Sequence, residues 1–200
     1  DSLSHRGPDD QGLWQNESGT VGFGHTRLSI LDLSSAGHQP MEAESGRFVM
    51  VFTGEIYNFK ELKLELVNSG VFFKSQTDTE VILKGYAKEG FDFFKKLNGM
   101  FAVALFDKIE NTLLLVRDGF GIKPLYLGKT PKGYIFSSEM KSLLFEASLS
   151  RELNERGIIN YLSFIWSPGR TTLLKDVEKV LPGEAVLFKD GVLQQRWFYY

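Results

Sequence analysis

Apolar residues in this chain fall into two patterns, short near-continuous runs and helix-spaced stripes. The runs at 48–52, 100–106 and 112–116 are apolar at almost every position. They predict strands buried on both faces, which other layers must cover. The turn between the last two, residues 107–111, suits a hairpin. Residues 21–25 and 26–32 alternate polar with apolar and read as extended. The Gly-rich turn at 117–126 leads into another strand, residues 133–136 read as a further one, and Phe72-Phe73 as a short extended piece. Helical spacing begins at Phe59 and runs to Asn68. Leu62, Leu66 and Val67 form its buried stripe, Asn58 with Glu61 makes a capping box, and Gly70 ends it. A second helix opens at Thr77, whose spacing to Glu80 again fits a capping box. Val81, Ile82, Leu83, Tyr86 and Ala87 fill it. Ser138 to Lys141 is expected to cap a short helix through Phe145, and Asn154 a helix to about Phe164. The tail, 166–200, holds a hairpin around Lys189-Asp190-Gly191. Strands, two helices, strands, one or two helices and a strand-rich tail predict stacked sheets with helices outside.

Composition narrows the function classes. The 200 residues suit one large domain or two small ones, and 42% apolar content with 17 Phe supports a large core. The net charge of −2 leaves no footprint for nucleic acid or an anionic membrane. No apolar run is long enough to span a bilayer, and no signal-peptide pattern opens the chain. With no cysteine there is neither a disulfide framework nor a thiolate metal site. His5, His25 and His38 have no metal-ligand spacing. Gly119-Phe120-Gly121 lacks the third glycine of a dinucleotide fingerprint, and neither a P-loop nor Gly-x-Ser-x-Gly occurs. The pairs Asp9 with Asp10 and Glu42 with Glu44 fall in polar loops and are expected to be solvated. The chain opens at Asp1-Ser2-Leu3-Ser4 as if within a loop, so residues are expected to precede it.

The candidate chemistry centres on Phe52-Thr53-Gly54-Glu55-Ile56-Tyr57-Asn58. An apolar strand leads into a hydroxyl, a glycine and a carboxylate. Glycine lets a ligand approach the backbone N–H groups, and the strand supplies rigidity. A plain strand-to-helix turn also accounts for this stretch. Arg27 follows a strand end, where it can reach a pocket or sit in a structural ion pair. Asp78 lies in the first turn of a helix, where the helix dipole alone favours a carboxylate. If they converge, one cation and two carboxylates suit a zwitterionic amino acid. Arg27 would hold its carboxylate in a bidentate pair, and Glu55 and Asp78 its ammonium. Spacing alone does not bring them together.

Several motifs carry a resemblance. They are His5-Arg6-Gly7-Pro8-Asp9-Asp10-Gln11-Gly12, Gly24-His25-Thr26-Arg27-Leu28-Ser29-Ile30, Gly37-His38-Gln39-Pro40-Met41, Gly54-Glu55-Ile56-Tyr57-Asn58, Asp78-Thr79-Glu80, Gly99-Met100-Phe101-Ala102, the run from Arg117 to Tyr126, and Ser138-Glu139-Met140-Lys141. In this order they resemble the glutaminase domain of asparagine synthetase B-type enzymes, which are class II glutamine amidotransferases. The resemblance covers the first residue to about Leu181-Pro182-Gly183. It implies an α+β fold, the four-layer αββα sandwich of N-terminal nucleophile hydrolases, with two mainly antiparallel sheets between helical layers. It implies a glutaminase domain over 1–183 lacking its N-terminal segment, and a final hairpin over 184–200 linking toward an ATP-dependent synthetase domain outside this chain.

The chemistry the resemblance implies is hydrolysis of the glutamine side-chain amide to glutamate and ammonia, which passes through a channel to an acyl-adenylate. The nucleophile would be an N-terminal Cys with its own α-amine as proton carrier, lying before Asp1. Arg27 would bind the α-carboxylate, with Leu28, Ser29, Ile30 and Leu31 as pocket wall, and Glu55 and Asp78 the α-ammonium. The Gly54 N–H and the Thr53 side chain would form the oxyanion hole. The resemblance implies no cofactor or metal in this chain, with ATP and Mg2+ used by the synthetase domain. It implies a cytoplasmic protein with L-glutamine and that domain as partners, compatible with a homodimer and with no nucleic acid or membrane. Thr53 departs from the pattern, since the family carries Asn there. A shorter hydroxyl in place of the amide suggests a weaker glutaminase. The alternative is an inactive scaffold such as that of relatives resembling β-lactam synthetase.

Overall fold

Two long strands form the centre of the structure. β4 (Phe48–Ile56) and β5 (Gly99–Asp107) pair antiparallel from Phe48↔Asp107 to Ile56↔Gly99. The computed structural model describes residues 2–200. Beside β5 lies β6 (Thr112–Arg117), then β10 (Glu184–Lys189) and β11 (Val192–Phe198). The short β3 (Met41–Glu42) flanks β4 on the other side and completes a six-stranded sheet. Alternation along the strands splits the core in two. Phe48, Met50 and Phe52 of β4 face one way, with Phe101, Val103 and Leu105 of β5. They pack on α1 (Phe59–Asn68) and α2 (Asp78–Glu89). Val49, Val51, Ala102, Ala104 and Phe106 face the other way, against a second layer of strands. The near-continuous apolar runs follow from this double burial.

The second layer consists of two pieces. One is the hairpin of β1 (Asp10–Gln15) and β2 (Gly22–Arg27). The other is a three-stranded sheet ordered β8 (Gly133–Ser137), β7 (Tyr126–Thr130) and β9 (Val177–Lys179). Phe23, Leu127 and Phe136 point into the shared core. Tyr126 and Ile135 point outward, against Leu143 of α3 (Met140–Leu143) and Leu149. The layers therefore run helix, sheet, strand layer, helix, as expected. α4 (Glu155–Phe164) starts at Asn154, whose side chain accepts the Gly157 N–H at 3.1 Å. Gly157 is seated against the Thr172 carbonyl, where a Cβ would lie 2.0 Å away. No helix among the described residues is long and apolar enough to cross a membrane.

Several details correct the sequence expectations. β1 is a strand that the sequence does not signal, because Leu13 is 90% exposed and its alternation carries little apolar signal. The extended run ends at Arg27 instead of continuing to Asp32. The Asn58 side chain does not cap α1. It donates to the Lys96 carbonyl and accepts the Asn98 N–H, fastening the chain ahead of β5. Thr77 does cap α2 through the Glu80 N–H at 3.2 Å. The Glu80 carboxylate, however, takes the N–H groups of Lys74 and Ser75. Val67 is half-exposed and does not belong to the buried stripe. Ser138 makes no cap, and Ser137 instead accepts the Glu139 N–H. Packing also runs straight through position 183. β10 pairs with β6, and Ala185 and Val186 are fully buried, so the final hairpin is the outer part of the main sheet.

The turn after β6 is held by one buried carboxylate. Asp118 is fully buried and accepts from the N–H groups of Phe101, Phe120, Ile122 and Lys123 at 3.0–3.1 Å. Arg117 donates to the carbonyls of Gly121, Lys123 and Val180. Asp118→Ala leaves the buried Phe101 N–H without a partner and releases the three part-buried N–H groups of the turn, at a cost of roughly 3–5 kcal/mol. Urea unfolding measures this; a loss under about 1 kcal/mol would contradict the role given to Asp118.

Candidate functional site

A cavity of about 490 Å³ opens where the two strand layers part, beyond the C-terminal half of β4. The same alternation that builds the core supplies its lining. Val49 and Val51 face the space between layers, and two and four residues on, Thr53 and Glu55 face the cavity. On β2 the corresponding series is Phe23, His25 and Arg27, which passes from core to cavity wall. Ala102 and Ala104 of β5 are small and leave the space unfilled. Leu125, Phe136 and Ser137 close it from the second layer, and Leu3 and Arg6 from the N-terminal turn.

The outer edge of β4 has an unusual partner set. β3 reaches only Val49 and Met50. Beyond it, side chains replace the missing strand. Gln39 Oε1 accepts the Phe52 N–H at 2.7 Å, His25 Nε2 donates to the Phe52 carbonyl at 3.1 Å, and Asp78 Oδ2 accepts the Ile56 N–H at 3.1 Å. Gly54 lies between these two anchored positions. Its cross-strand neighbour Phe101 turns both its N–H and its carbonyl away, to Asp118. Gly54 therefore presents its N–H to the open edge, on the cavity side. The backbone requires glycine here. Its φ is +151°, and a Cβ would lie 2.1 Å from the Met100 carbonyl oxygen.

The charges in the cavity are buried and mutually unpaired. Arg27 is buried, and its guanidinium donates to the carbonyls of Ser34 (3.0 Å), Leu31 (3.2 Å) and Asp32 (2.5 Å). It rests against Gly37, where a Cβ would lie 2.0 Å from its Nη2. Among the described residues no carboxylate forms an ion pair with it. Asp78, the first residue of α2, is also buried and has no cationic partner among them. Burial pushes its carboxyl up from 3.8 to about 6, the Ile56 N–H opposes that, and the nearby Glu55 charge adds to it. A buried cation and a buried anion, each without a counter-ion, face one cavity. A zwitterion answers both.

Residues 1–199 match the glutamine amidotransferase domain family. The chain belongs to this family. It is 41% identical to asparagine synthetase [glutamine-hydrolyzing] 1 of Bacillus subtilis, over 98% of this chain and 31% of that protein. It is 35% identical to putative asparagine synthetase [glutamine-hydrolyzing] 2 of Methanocaldococcus jannaschii, over 100% of this chain and 42% of that one. The domain thus spans less than half the length of these curated relatives. A solved glutamine phosphoribosylpyrophosphate amidotransferase from B. subtilis superposes with a TM-score of 0.66 at 19% identity, covering 90% of this chain and 35% of that one. That likeness establishes the fold, the four-layer αββα sandwich.

In this glutamine amidotransferase domain, the residues singled out from sequence do not all reach one place. Arg27, Leu28, Ile30, Leu31, Thr53, Gly54, Glu55 and Asp78 all line the cavity. Ser29 does not: its N–H donates to the Asp9 carboxylate at 2.7 Å, beside a second cavity lined by Asp9, Asp10 and His38. Asp10 is not simply solvated, since it pairs with His38 Nδ1 at 2.7 Å. The sequence reading passed over His25, Gln39 and Arg6. Arg6 lies in the wall and is tied at 3.0 Å to Glu139, which also meets His5 and Lys141. The Arg6 guanidinium foremost, with the hydrogen bonds from Lys141 and His5, holds the Glu139 carboxyl down at about 2. The link fastens the N-terminal turn to the second strand layer.

Proposed function

We propose that this domain hydrolyses the side-chain amide of L-glutamine to glutamate and ammonia for an ATP-dependent synthetase domain of the same polypeptide. The observation that carries the reading is the cavity with Arg27 and Asp78 buried on its walls, neither in an ion pair among the described residues. Arg27 binds the α-carboxylate, while Asp78 and Glu55 bind the α-ammonium. The side chain then extends along β4 toward Thr53 and Gly54. A cysteine thiolate from a segment preceding Asp1 attacks the amide carbon. The developing oxyanion takes a hydrogen bond from the Gly54 N–H, with the Thr53 hydroxyl as second donor. Ammonia leaves with a proton from the N-terminal amine, and water then hydrolyses the thioester to glutamate. ATP and Mg2+ belong to the synthetase domain's chemistry, as does the choice of the carboxylate that is amidated.

The titration of Asp78 gives this reading a pH signature. Its folded carboxyl, near 6, is raised above its unfolded value of 3.8. The stability it contributes to the empty domain is present below pH 4 and is lost as pH rises through about 6, roughly 1–3 kcal/mol in all. Substrate binding runs the opposite way, because the ammonium needs the carboxylate. The KM for glutamine is expected to rise about tenfold for each pH unit below 6 and to level off above it. Asp78→Asn abolishes this dependence. Steady-state kinetics of the full-length protein from pH 5 to 8 measure it; a flat KM across that range would rule out Asp78 as the ammonium partner.

A further inference from the structure

We propose that His25 and Gln39 are positioning residues for the oxyanion site, acting together as a side-chain substitute for a missing β-strand partner of Phe52. The proposal rests on the glutamine-hydrolysis reading above. A strand neighbour would accept the Phe52 N–H and donate to its carbonyl. Here Gln39 does the first at 2.7 Å and His25 the second at 3.1 Å. The two come from different segments, Gln39 from the loop before β3 and His25 from β2 in the other strand layer. Together they fix the peptide that leads into Thr53, whose next N–H is that of Gly54. Gln39 is itself buried and anchored, its Nε2 reaching Thr79 Oγ1 on α2 at 3.4 Å.

The imidazole shows a sacrifice that a filler residue would not need. Because a carbonyl only accepts, the bond to Phe52 fixes the proton on Nε2. Nδ1 is then an acceptor, and it is buried with no partner among the described residues. A buried unpaired acceptor is a defect that an apolar side chain of the same size would avoid. Donation from the other nitrogen is the gain that offsets it. Burial also holds the ring neutral, its pKa drawn down to about 4, so the donor arrangement is the same throughout the working range.

The test uses the full-length protein and three variants. His25→Phe and Gln39→Met keep volume but remove the donor and the acceptor, and His25→Gln returns an N–H donor near Nε2. His25→Phe and Gln39→Met are expected to lower kcat for glutamine hydrolysis on the order of 100-fold. KM should stay within about twofold of the parent, since neither residue touches the glutamine α-substituents. His25→Gln is expected to recover most of the loss. Amide hydrogen exchange over residues 52–56, followed by mass spectrometry, should speed up about tenfold or more in the first two variants and return toward the parent in the third. Exchange reads the clamp even if the parent protein proves not to hydrolyse glutamine, so failure of the function and failure of the clamp are separable. Unchanged exchange, a rise in KM at constant kcat, or no recovery in His25→Gln would overturn the proposal.

Discussion

Arg27→Ala is expected to raise the KM for glutamine roughly 100–1000-fold, with a much smaller change in kcat. The size follows from what the guanidinium does. It is a buried cation that no described carboxylate neutralises, held by three carbonyls of the loop that follows β2. Its charge is therefore fully available to an incoming carboxylate in a site with little water. Alanine removes the bidentate pair and also leaves those carbonyls without their donor, so some loosening of the loop and a loss of roughly 1–3 kcal/mol in stability should accompany it. Arg27→Lys is expected to recover little, because a point charge cannot reach three diverging carbonyls and a carboxylate together. Steady-state kinetics with glutamine decide the matter. A KM within about twofold of the parent protein would mean that the α-carboxylate binds elsewhere.

Gly54→Ala carries the second large effect, and it acts on both stability and chemistry. The added Cβ would lie 2.1 Å from the Met100 carbonyl oxygen and 2.7 Å from the Phe101 Cα, both backbone atoms of the adjacent strand. Neither can move without opening the β4–β5 pair at the centre of the main sheet. The backbone is also strained for any L side chain, with φ at +151°. A loss of at least about 3 kcal/mol is expected, together with a fall in kcat of about 100-fold or more as the N–H is displaced from the oxyanion. Gly70→Ala provides the contrast. Its φ is also positive, at +89°, but nothing lies within 4 Å of the added carbon. It should cost only about 1 kcal/mol and leave activity intact. Urea melts of both variants, with glutaminase rates, test the comparison. Equal losses in the two would mean that packing at Gly54 plays no special part.

The sequence was informative about the fold where burial is two-sided. β4, β5 and β6 were visible as apolar runs because both faces of each strand are packed. β1 escaped because Leu13 points to solvent, and half of its pattern looks like loop. In the site, Arg27, Glu55 and Asp78 stood out as charges placed directly at the ends of apolar elements, where solvated charge is not the only explanation. His25 and Gln39 did not, because each acts on the backbone of a residue 27 or 13 positions away. Side-chain to backbone bonds across layers leave no periodicity in sequence. Ser29 stands apart from the other residues of its motif, outside the cavity lining. It lies in the right motif but past the end of β2, where the chain turns its amide to Asp9. The Asn58 cap failed because the same side chain found stronger use pinning residues 96 and 98.

In the proposed reaction, Thr53 is the second oxyanion donor. It lies on the cavity face of β4, next to the Gly54 N–H, and offers a short hydroxyl, where the amide of an Asn side chain would reach further. Thr53→Asn in the full-length protein is expected to raise kcat about tenfold or more, since one oxyanion donor is worth 100–1000-fold elsewhere. An unchanged rate would remove Thr53 from the oxyanion site.

The most direct test of the whole account is glutamate and ammonia release from L-glutamine by the full-length protein with its native N-terminus. The account predicts equal amounts of the two products, saturation with glutamine, and loss of both when the N-terminal cysteine is replaced by alanine. Glutamine that binds in calorimetry but yields no glutamate would contradict it, and would make this domain a scaffold that keeps the substrate pocket without the reaction.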